Sequence, residues 1–466
     1  MSIHCELKNI SKSFGPVLAN QNVYLNIQPG TIHALVGENG AGKSTAMKIL
    51  FGLVQPDSGQ IFYNEKLCHP WSPIAAFKQG IGMVHQHFML AETEMVLDNL
   101  VLGVEKSTFG LRKRKQEKQN LQKLMQDTGL DVPLEKFIRE LPLGMQSRCE
   151  ILKVLYRNAQ FLILDEPTAV LTPQEVEKFL NTLRTLRKQG KTMLLVTHKL
   201  KEVLAIADEV TVLRAGKTVG VRKTAETSIE ELSELMVGRR LKLPRVTPQT
   251  DIQSKALLKL EELELHSGEI TGIAGIEGHG QENLIQKVLP FTQALIPANR
   301  QEEGLILSFN LTENLRLKRN LVKQKGVFSY FGKTTLDEKS LLKTYDIRPP
   351  EPKLLAHALS GGNQQKLIIA RELSQLNHQS VVLAIHPTRG VDLGAIEFIH
   401  KQLLEIAKNG AAVLLISSEL DELMNLSHKI GALYKGQIIK WFVGPPYDEF
   451  QIGHHMLCGA TTGAGT

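Results

Sequence analysis

Aromatic residues make up only 5% of this 466-residue chain, with two tryptophans, and cysteine occurs four times. Cys5, Cys68, Cys149 and Cys458 are scattered and form no CxxC pair. That excludes a thiolate-ligated zinc module and a disulfide framework, and the expectation is four reduced thiols. No apolar stretch approaches the ~20 residues that span a bilayer, and the first residues lack the apolar core of a signal peptide. The chain is therefore expected to meet a membrane only through partners. Neither sign of charge dominates: 55 Lys and Arg stand against 48 Asp and Glu, a net charge of +7. A balance of that size suits nucleic acid and an anionic membrane surface equally. The basic run LRKRKQEKQNLQKLMQ from Leu111 reads as the solvated face of a helix. His454 and His455 are adjacent, but a metal site needs more ligands than they supply. The length leaves room for two domains of about 200 residues, each with its own core.

What the sequence does have is a phosphate-binding loop that occurs twice. GENGAGKS, Gly37 to Ser44, fits the pattern of a glycine, four residues, a glycine, a lysine and a serine, and it follows the apolar run Ile32 to Val36. Gly37, Gly40 and Gly42 allow a tight turn with inward N–H groups, and Thr45 to Phe51 reads as a helix whose N-terminus attracts anions. In that motif Lys43 reaches the β- and γ-phosphates and Ser44 the Mg²⁺. The second copy, GIEGHGQE at Gly275 to Glu282, puts Gln281 for the lysine and Glu282 for the serine. A carboxylate there repels phosphate.

Chance and duplication compete to explain the second copy, and four further landmarks decide. FLILDEPT carries Asp165 and Glu166, and LLVTHK carries His198; VVLAIHPT carries Ile385 and His386, and LLISSE carries Ser418. The interval from Asp165 to His198 equals the interval from Ile385 to Ser418. LPLGMQ with Gly144 answers LSGGNQ with Gly362, and VLDNLVL with Asn99 answers LTENLRL with Asn314. An ordered series of this kind is duplication. The offset is 238 at the loops and 218 at Gly144 and Gly362, so the second half is shorter between loop and signature by a net 20 (238 − 218). The stretch QPDSGQIFYN has no counterpart after Gln281.

Loop, glutamine stretch (GMVHQHFML), LSGGNQ-type signature, acidic strand end and histidine, in that order, resemble the ATPase subunits of ATP-binding cassette (ABC) transporters over nearly the whole chain. LSGGNQQK, PTRGVDLGAIEFIH and LMVGR resemble the tandem sugar and nucleoside importer ATPases, and GMVHQHFML and CEILKVLYR lean to the nucleoside type. The resemblance implies an α/β fold of two tandem nucleotide-binding domains. Each would have a P-loop core with a mainly parallel sheet, an antiparallel β subdomain and a helical signature subdomain, and the second would be shortened. The domains are expected at 1–240 and 254–466, with the proline-containing linker 241–253 between them.

The residue roles follow from that resemblance. Gly37, Glu38, Asn39, Gly40, Ala41, Gly42, Lys43, Ser44 and Thr45 would cradle ATP, and Phe14 in SKSFG would stack on adenine. Ser44, Gln86 and Asp165 would hold Mg²⁺, Glu166 would polarise the attacking water, and His198 would sense the γ-phosphate. Gln86 would also report to the membrane partner. In the family each nucleotide lies between one cassette's loop and the other's signature. The first loop would thus be completed by Ser360, Gly361, Gly362 and Asn363, while the damaged loop would face LPLGM, where Pro142 removes a hydroxyl and an N–H. Thr172 stands where the family has the aspartate kept at Asp392, and PANR, Pro297 to Arg300, stands where the family more often has an acidic pair.

The implied activity is ATP hydrolysis that energises import of a sugar or nucleoside. The implied partners are transmembrane permease subunits and an extracytoplasmic substrate-binding protein, with peripheral association on the cytoplasmic side of the cell (inner) membrane and no direct nucleic-acid contact. Two other classes stay open: a soluble twin-cassette ATPase acting on nucleic acid or the ribosome, and a nucleotide sensor that hydrolyses little.

Overall fold

The structure is a computed structural model that describes residues 3–458 apart from 16, 69–70, 86–88, 106, 109–110, 169–170, 172, 241–243, 247–254, 276–279, 318–337, 375 and 377. Its contacts divide it into two compact units, Met1–Leu241 and Lys242–Thr466. Most of the expected linker lies outside the described residues; within it, Val246 donates its N–H to the Asn425 carbonyl at 2.7 Å.

In the first unit β1 (Cys5–Phe14), β2 (Val17–Ile27), β4 (Ser58–Tyr63) and β5 (Lys66–Leu67) form an antiparallel sheet in the order β2-β1-β4-β5. The core sheet uses β3 (Ile32–Gly37), β6 (Ile81–Val84), β9 (Phe161–Asp165), β10 (Thr192–Val196), β11 (Glu209–Arg214) and β12 (Lys217–Lys223). Its order is β12-β11-β3-β10-β9-β6, parallel except for β12. A short hairpin, β7 (Ser107–Thr108) and β8 (Leu111–Arg112), precedes the helical part. IHALVG, FLILD and TMLLV are buried at every position, as strands covered on both faces of a parallel sheet must be.

The second unit begins with the hairpin β13 (Ala256–Leu260) and β14 (Leu263–His266). Its core sheet comprises β15 (Ile270–Ala274), β16 (Ala294–Ile296), β17 (Val381–Ile385), β18 (Ala412–Ser417), β19 (Lys429–Tyr434) and β20 (Gln437–Val443), in the order β16-β17-β18-β15-β19-β20. That is the first sheet's order strand for strand, so both units have the expected cassette core.

Register locates the missing segment. Gly82 pairs with Leu162 and Ala294 with Val382, so Ala294 stands for Gly82 at an offset of 294 − 82 = 212. The loops stand at 238, so the loss between loop and strand is 26 (238 − 212), of which 6 (218 − 212) are regained before the signature. The lost segment is β4, β5 and the helix Pro73–Lys78, which in the first unit bring Ile61, Tyr63, Trp71 and Ala76 into the core.

A repeated landmark has a structural cause. Asn99 and Asn314 are both buried, and each clamps a loop eight residues upstream: Asn99 accepts from the Ala91 N–H (2.7 Å) and donates to its carbonyl (3.1 Å), and Asn314 does the same with Ile306 (2.9 and 3.0 Å). Such a position satisfies a loop's backbone without another strand. The basic run forms the helix Arg114–Thr128, which is solvated along most of its length. Glu117 and Leu121 are buried on it, and Arg112 pairs with Glu117 and Asp98. No helix of the described residues is long and apolar enough to cross a membrane.

Candidate functional site

The intact loop leaves β3 where the sheet's C-terminal edge opens, and close packing explains its glycines. A Cβ on Gly37 would lie 2.4 Å from the Leu213 carbonyl oxygen, and one on Gly42, at φ 96°, would lie 2.4 Å from that of Ala19. Three bonds fix the turn: Ala41 N–H to the Glu38 carbonyl (3.0 Å), Gly216 N–H to the Ala41 carbonyl (3.1 Å) and Asn20 Nδ2 to the Gly42 carbonyl (3.1 Å). Asn20 is fully buried, and nothing in its local sequence marked it.

The helix Lys43–Leu50 starts at Gly42 with no side-chain cap and no acidic residue in its first turn. Its N-terminus therefore presents backbone N–H groups and a partial positive charge. Lys43 is 6% exposed, and its Nζ donates to the carbonyls of Gly37 (2.7 Å) and Glu38 (3.0 Å). Burial pulls its pKa below the ordinary lysine value, against the opposing charges of Glu166, Asp165 and Glu38. Gly37, Glu38, Asn39, Gly40, Ala41, Gly42, Lys43, Ser44 and Thr45 are thus on one turn, with Ser44 less deeply buried than the lysine beside it. Phe14 ends β1 with 49% exposure, two residues beyond Lys12, which pairs with Asn20. The Lys12 ammonium lies 5.6 Å from its ring centroid.

Asp165 closes β9 beside Val196 and is 9% exposed. Burial and the neighbouring Glu166 push its carboxyl up to about 6, while Lys43 and Lys48 oppose them. Glu166 follows at φ 44°, and its N–H donates to the Val196 carbonyl at 2.8 Å. A non-glycine residue in that region costs on the order of 1 kcal/mol, which the flanking strands hold in place. The Glu166 Oε1 lies 3.0 Å from His198 Nδ1. Burial raises the pKa of this carboxyl, but the His198 bond and the charges of His198, Lys43 and Lys199 outweigh it and hold it below the ordinary range. Two adjacent carboxylates are thereby pushed apart in acidity.

A buttress behind them escaped the sequence reading. Thr168 Oγ1 bonds the Glu202 carboxylate at 2.9 and 2.7 Å, tying the loop after β9 to the helix that follows His198. Thr388 and Glu422 repeat the bond at 2.8 Å, and both residues are offset by 220. That recurrence was the available signal. Gln86 and Thr172 lie outside the described residues.

At its described positions the second unit keeps the backbone and changes the side chains; residues 276–279 of its loop lie outside the described residues. Gly280, at φ 91°, starts the helix Gln281–Val288 as Gly42 starts its counterpart. Gln281 is 4% exposed, and its Nε2 has no hydrogen-bond partner among the described residues. His386 occupies the place of Glu166, at φ 45°, and its N–H donates to the Ile416 carbonyl at 2.8 Å. Its Nδ1 accepts the Ser418 N–H at 3.3 Å.

The signatures differ in the opposite sense. Ser360 caps the helix Gly361–Leu373: its Oγ accepts the Asn363 N–H at 3.4 Å and Asn363 Nδ2 at 3.0 Å. Gly362 packs so close to Asp392 that a Cβ would lie 2.5 Å from its Oδ2. Pro142, before the helix Leu143–Tyr156, offers no side-chain acceptor.

A family model described as ABC transporter matches residues 20–169. The guanosine import ATP-binding protein of Bacillus subtilis (strain 168) is 41% identical over 499 residues, covering 98% of this chain and 97% of that protein. The nucleoside import ATP-binding protein of Lactococcus lactis subsp. cremoris is 37% identical over 478 residues, with 93% and 94% covered. A solved nucleotide-free ATP-binding cassette from an ABC transporter aligns with a TM-score of 0.45 and 23% identity, covering 51% of this chain and 96% of that one. With two cassette cores and relatives matched along almost their whole length, the chain belongs to the ATPase subunits of ABC transporters, in the tandem two-cassette sugar and nucleoside importer group.

Proposed function

We propose that this ATPase energises import of a sugar or nucleoside from a single hydrolytic site, made from the first domain's loop and the second domain's signature. The domains are taken as 1–240 and 254–466, joined by 241–253. The observation that carries the reading is complementary damage: loop lysine, acidic pair and histidine are all present in the first domain, and the serine-capped signature in the second.

The residues fit a phosphate and its cation. Uncapped helix N–H groups and Lys43 match phosphate oxygens, and Asp165, whose ionisation burial opposes, suits a site where a cation compensates it. Ser44, Gln86 and Asp165 would hold Mg²⁺, which when bound neutralises charge on the phosphate oxygens. Phe14 stacks on the adenine. Glu166, held ionised, takes the proton of the attacking water at its carboxylate, and His198 orients that carboxylate and contacts the γ-phosphate. Ser360, Gly361, Gly362 and Asn363 close the site over the terminal phosphate. ATP binding brings loop and signature together, hydrolysis releases them, and the permease subunits alternate their access in step.

The partners are transmembrane permeases and an extracytoplasmic substrate-binding protein, and the subunit sits at the cytoplasmic side of the membrane. The names of the guanosine and nucleoside relatives support a nucleoside cargo. Glu166→Gln in the assembled transporter should retain ATP binding and abolish hydrolysis and uptake. Full turnover in that variant would refute the mechanism.

A further inference from the structure

We propose that Arg300 is a positioning residue for hydrolysis, a clamp that holds the signature turn Ser360–Gly362 against the loop following β17. The inference rests on the reading that this signature serves the first domain's loop.

Arg300 opens a short helical turn, Arg300–Gly304, shortly after β16. Counted on from the paired strands at the same offset (86 + 212 = 298), Ala298 stands at the sequence position of Gln86, and an arginine follows two residues later. Asn299 caps the turn, accepting the N–H groups of Gln301 (3.2 Å) and Glu302 (3.3 Å), which fixes where the Arg300 side chain departs. The turn then lies along the signature helix. Gln301 Nε2 reaches Gln364 at 3.4 Å, Arg371 Nη1 donates to the Gly304 carbonyl at 2.7 Å, and a Cβ on Gly304 would come within 2.5 Å of Ile368.

From that base the guanidinium spans two elements. Its Nη1 donates to the Arg389 carbonyl at 2.8 Å, and its Nη2 approaches the Gly390 carbonyl at 3.5 Å. The same Nη2 lies 2.7 Å from where a Cβ on Gly361 would sit, so the guanidinium packs directly against the first signature glycine. The loop reached by Arg300 is pinned on both sides, by Thr388 bonded to Glu422 and by Asp392 capping the helix Leu393–Lys408 through the Ala395 N–H at 2.8 Å. Asp392 packs on Gly362, so the two signature glycines are gripped by Arg300 on one side and Asp392 on the other.

Two features separate a clamp from incidental packing. Among the described residues no carboxylate pairs with Arg300, and its Nε is buried without a partner. Among the described residues its bonds run to backbone carbonyls, so the side chain sets backbone geometry. The planar fork also addresses two successive carbonyls, which a lysine's single ammonium cannot do in one geometry.

The test is steady-state ATP hydrolysis by the full chain assembled with its permease, comparing Arg300→Ala, Arg300→Lys and Gly361→Ala, with nucleotide affinity measured in the Glu166→Gln background. Arg300→Ala should lower kcat about tenfold while the affinity of the first domain's loop for ATP changes less than about twofold. Arg300→Lys should recover part of kcat. Gly361→Ala displaces the guanidinium, so the double variant with Arg300→Ala should be no slower than the worse single variant. Fold-losses that multiply in the double variant, or wild-type kcat in folded Arg300→Ala and Arg300→Lys, would overturn the clamp. Lys43→Ala serves as the control. If it abolishes turnover while the Arg300 variants are normal, the clamp alone fails; if it turns over normally, the shared site fails.

Discussion

The two units carry six strands in the same order and put different chemistry at the strand ends. Where β9 delivers Asp165 and Glu166, β17 delivers Ile385 and His386; where β3 leads to Lys43, β15 leads to Gln281. The backbone around them hardly changes. Glu166 and His386 share a positive φ of 44° and 45°, and each N–H reaches the neighbouring strand at 2.8 Å. The comparison teaches that a frame held by backbone bonds and buried apolar residues tolerates replacement of the few side chains at its strand ends.

The sharpest way to break the comparison is a matched pair of loop substitutions. Lys43→Ala should lower ATP hydrolysis by the assembled transporter about a thousandfold, as loss of a phosphate-directed cation does. Gln281→Ala should leave it within about twofold. Equal losses would mean that both loops work.

Stability separates the units next. Trp71 donates its Nε1–H to the Leu50 carbonyl at 2.8 Å and fills the core behind the loop helix. Trp71→Ala should destabilise the first unit by about 4 kcal/mol in chemical denaturation, with no counterpart in the second, which lacks the segment. By contrast Thr168→Val and Thr388→Val should each cost about 2 kcal/mol, since each leaves a buried glutamate without its hydroxyl. Markedly unequal costs would show that the buttress is not shared.

Acid also tells the units apart. His33 on β3 is buried, and burial lowers its pKa to about 4. Its stabilising neutral form is fully present above about 6.5, and that contribution is lost as pH falls from there toward 4. The corresponding position on β15 is Thr271 (33 + 238), which does not titrate. His33→Thr should spare the first unit about 2 kcal/mol of the loss between pH 7 and pH 5, read from denaturation at both values. An unchanged acid dependence would mean that His33 is not the group responsible. Smallest of all, Pro142→Ser should restore a helix cap worth about 1 kcal/mol and leave turnover within about twofold, because a signature alone binds nothing without a loop lysine.

Much of this was legible in the sequence because duplication prints every structural landmark twice. The offsets of 220 located the strand ends, and the apolar run Phe161 to Leu164 suits a strand buried on both faces of a parallel sheet. The size of the deletion was not legible. A net loss of 20 conceals 26 removed and 6 regained, and only the pairing of Gly82 and Ala294 with their neighbours separates the two. Asn20 and Arg300 were invisible as contacts for a related reason: each acts by bonding backbone carbonyls far away in sequence, and such acceptors have no residue type to recognise. Asn99 and Asn314 were noticed as a repeat, but their loop-clamping role needed coordinates.

The central claim is that one of the two loops holds nucleotide, and counting bound nucleotide tests it most directly. At saturating Mg-ATP the Glu166→Gln chain, assembled with its permease, should retain about one ATP per chain, and adding Lys43→Ala should remove it. Two ATP per chain, or retention that survives Lys43→Ala, would contradict it.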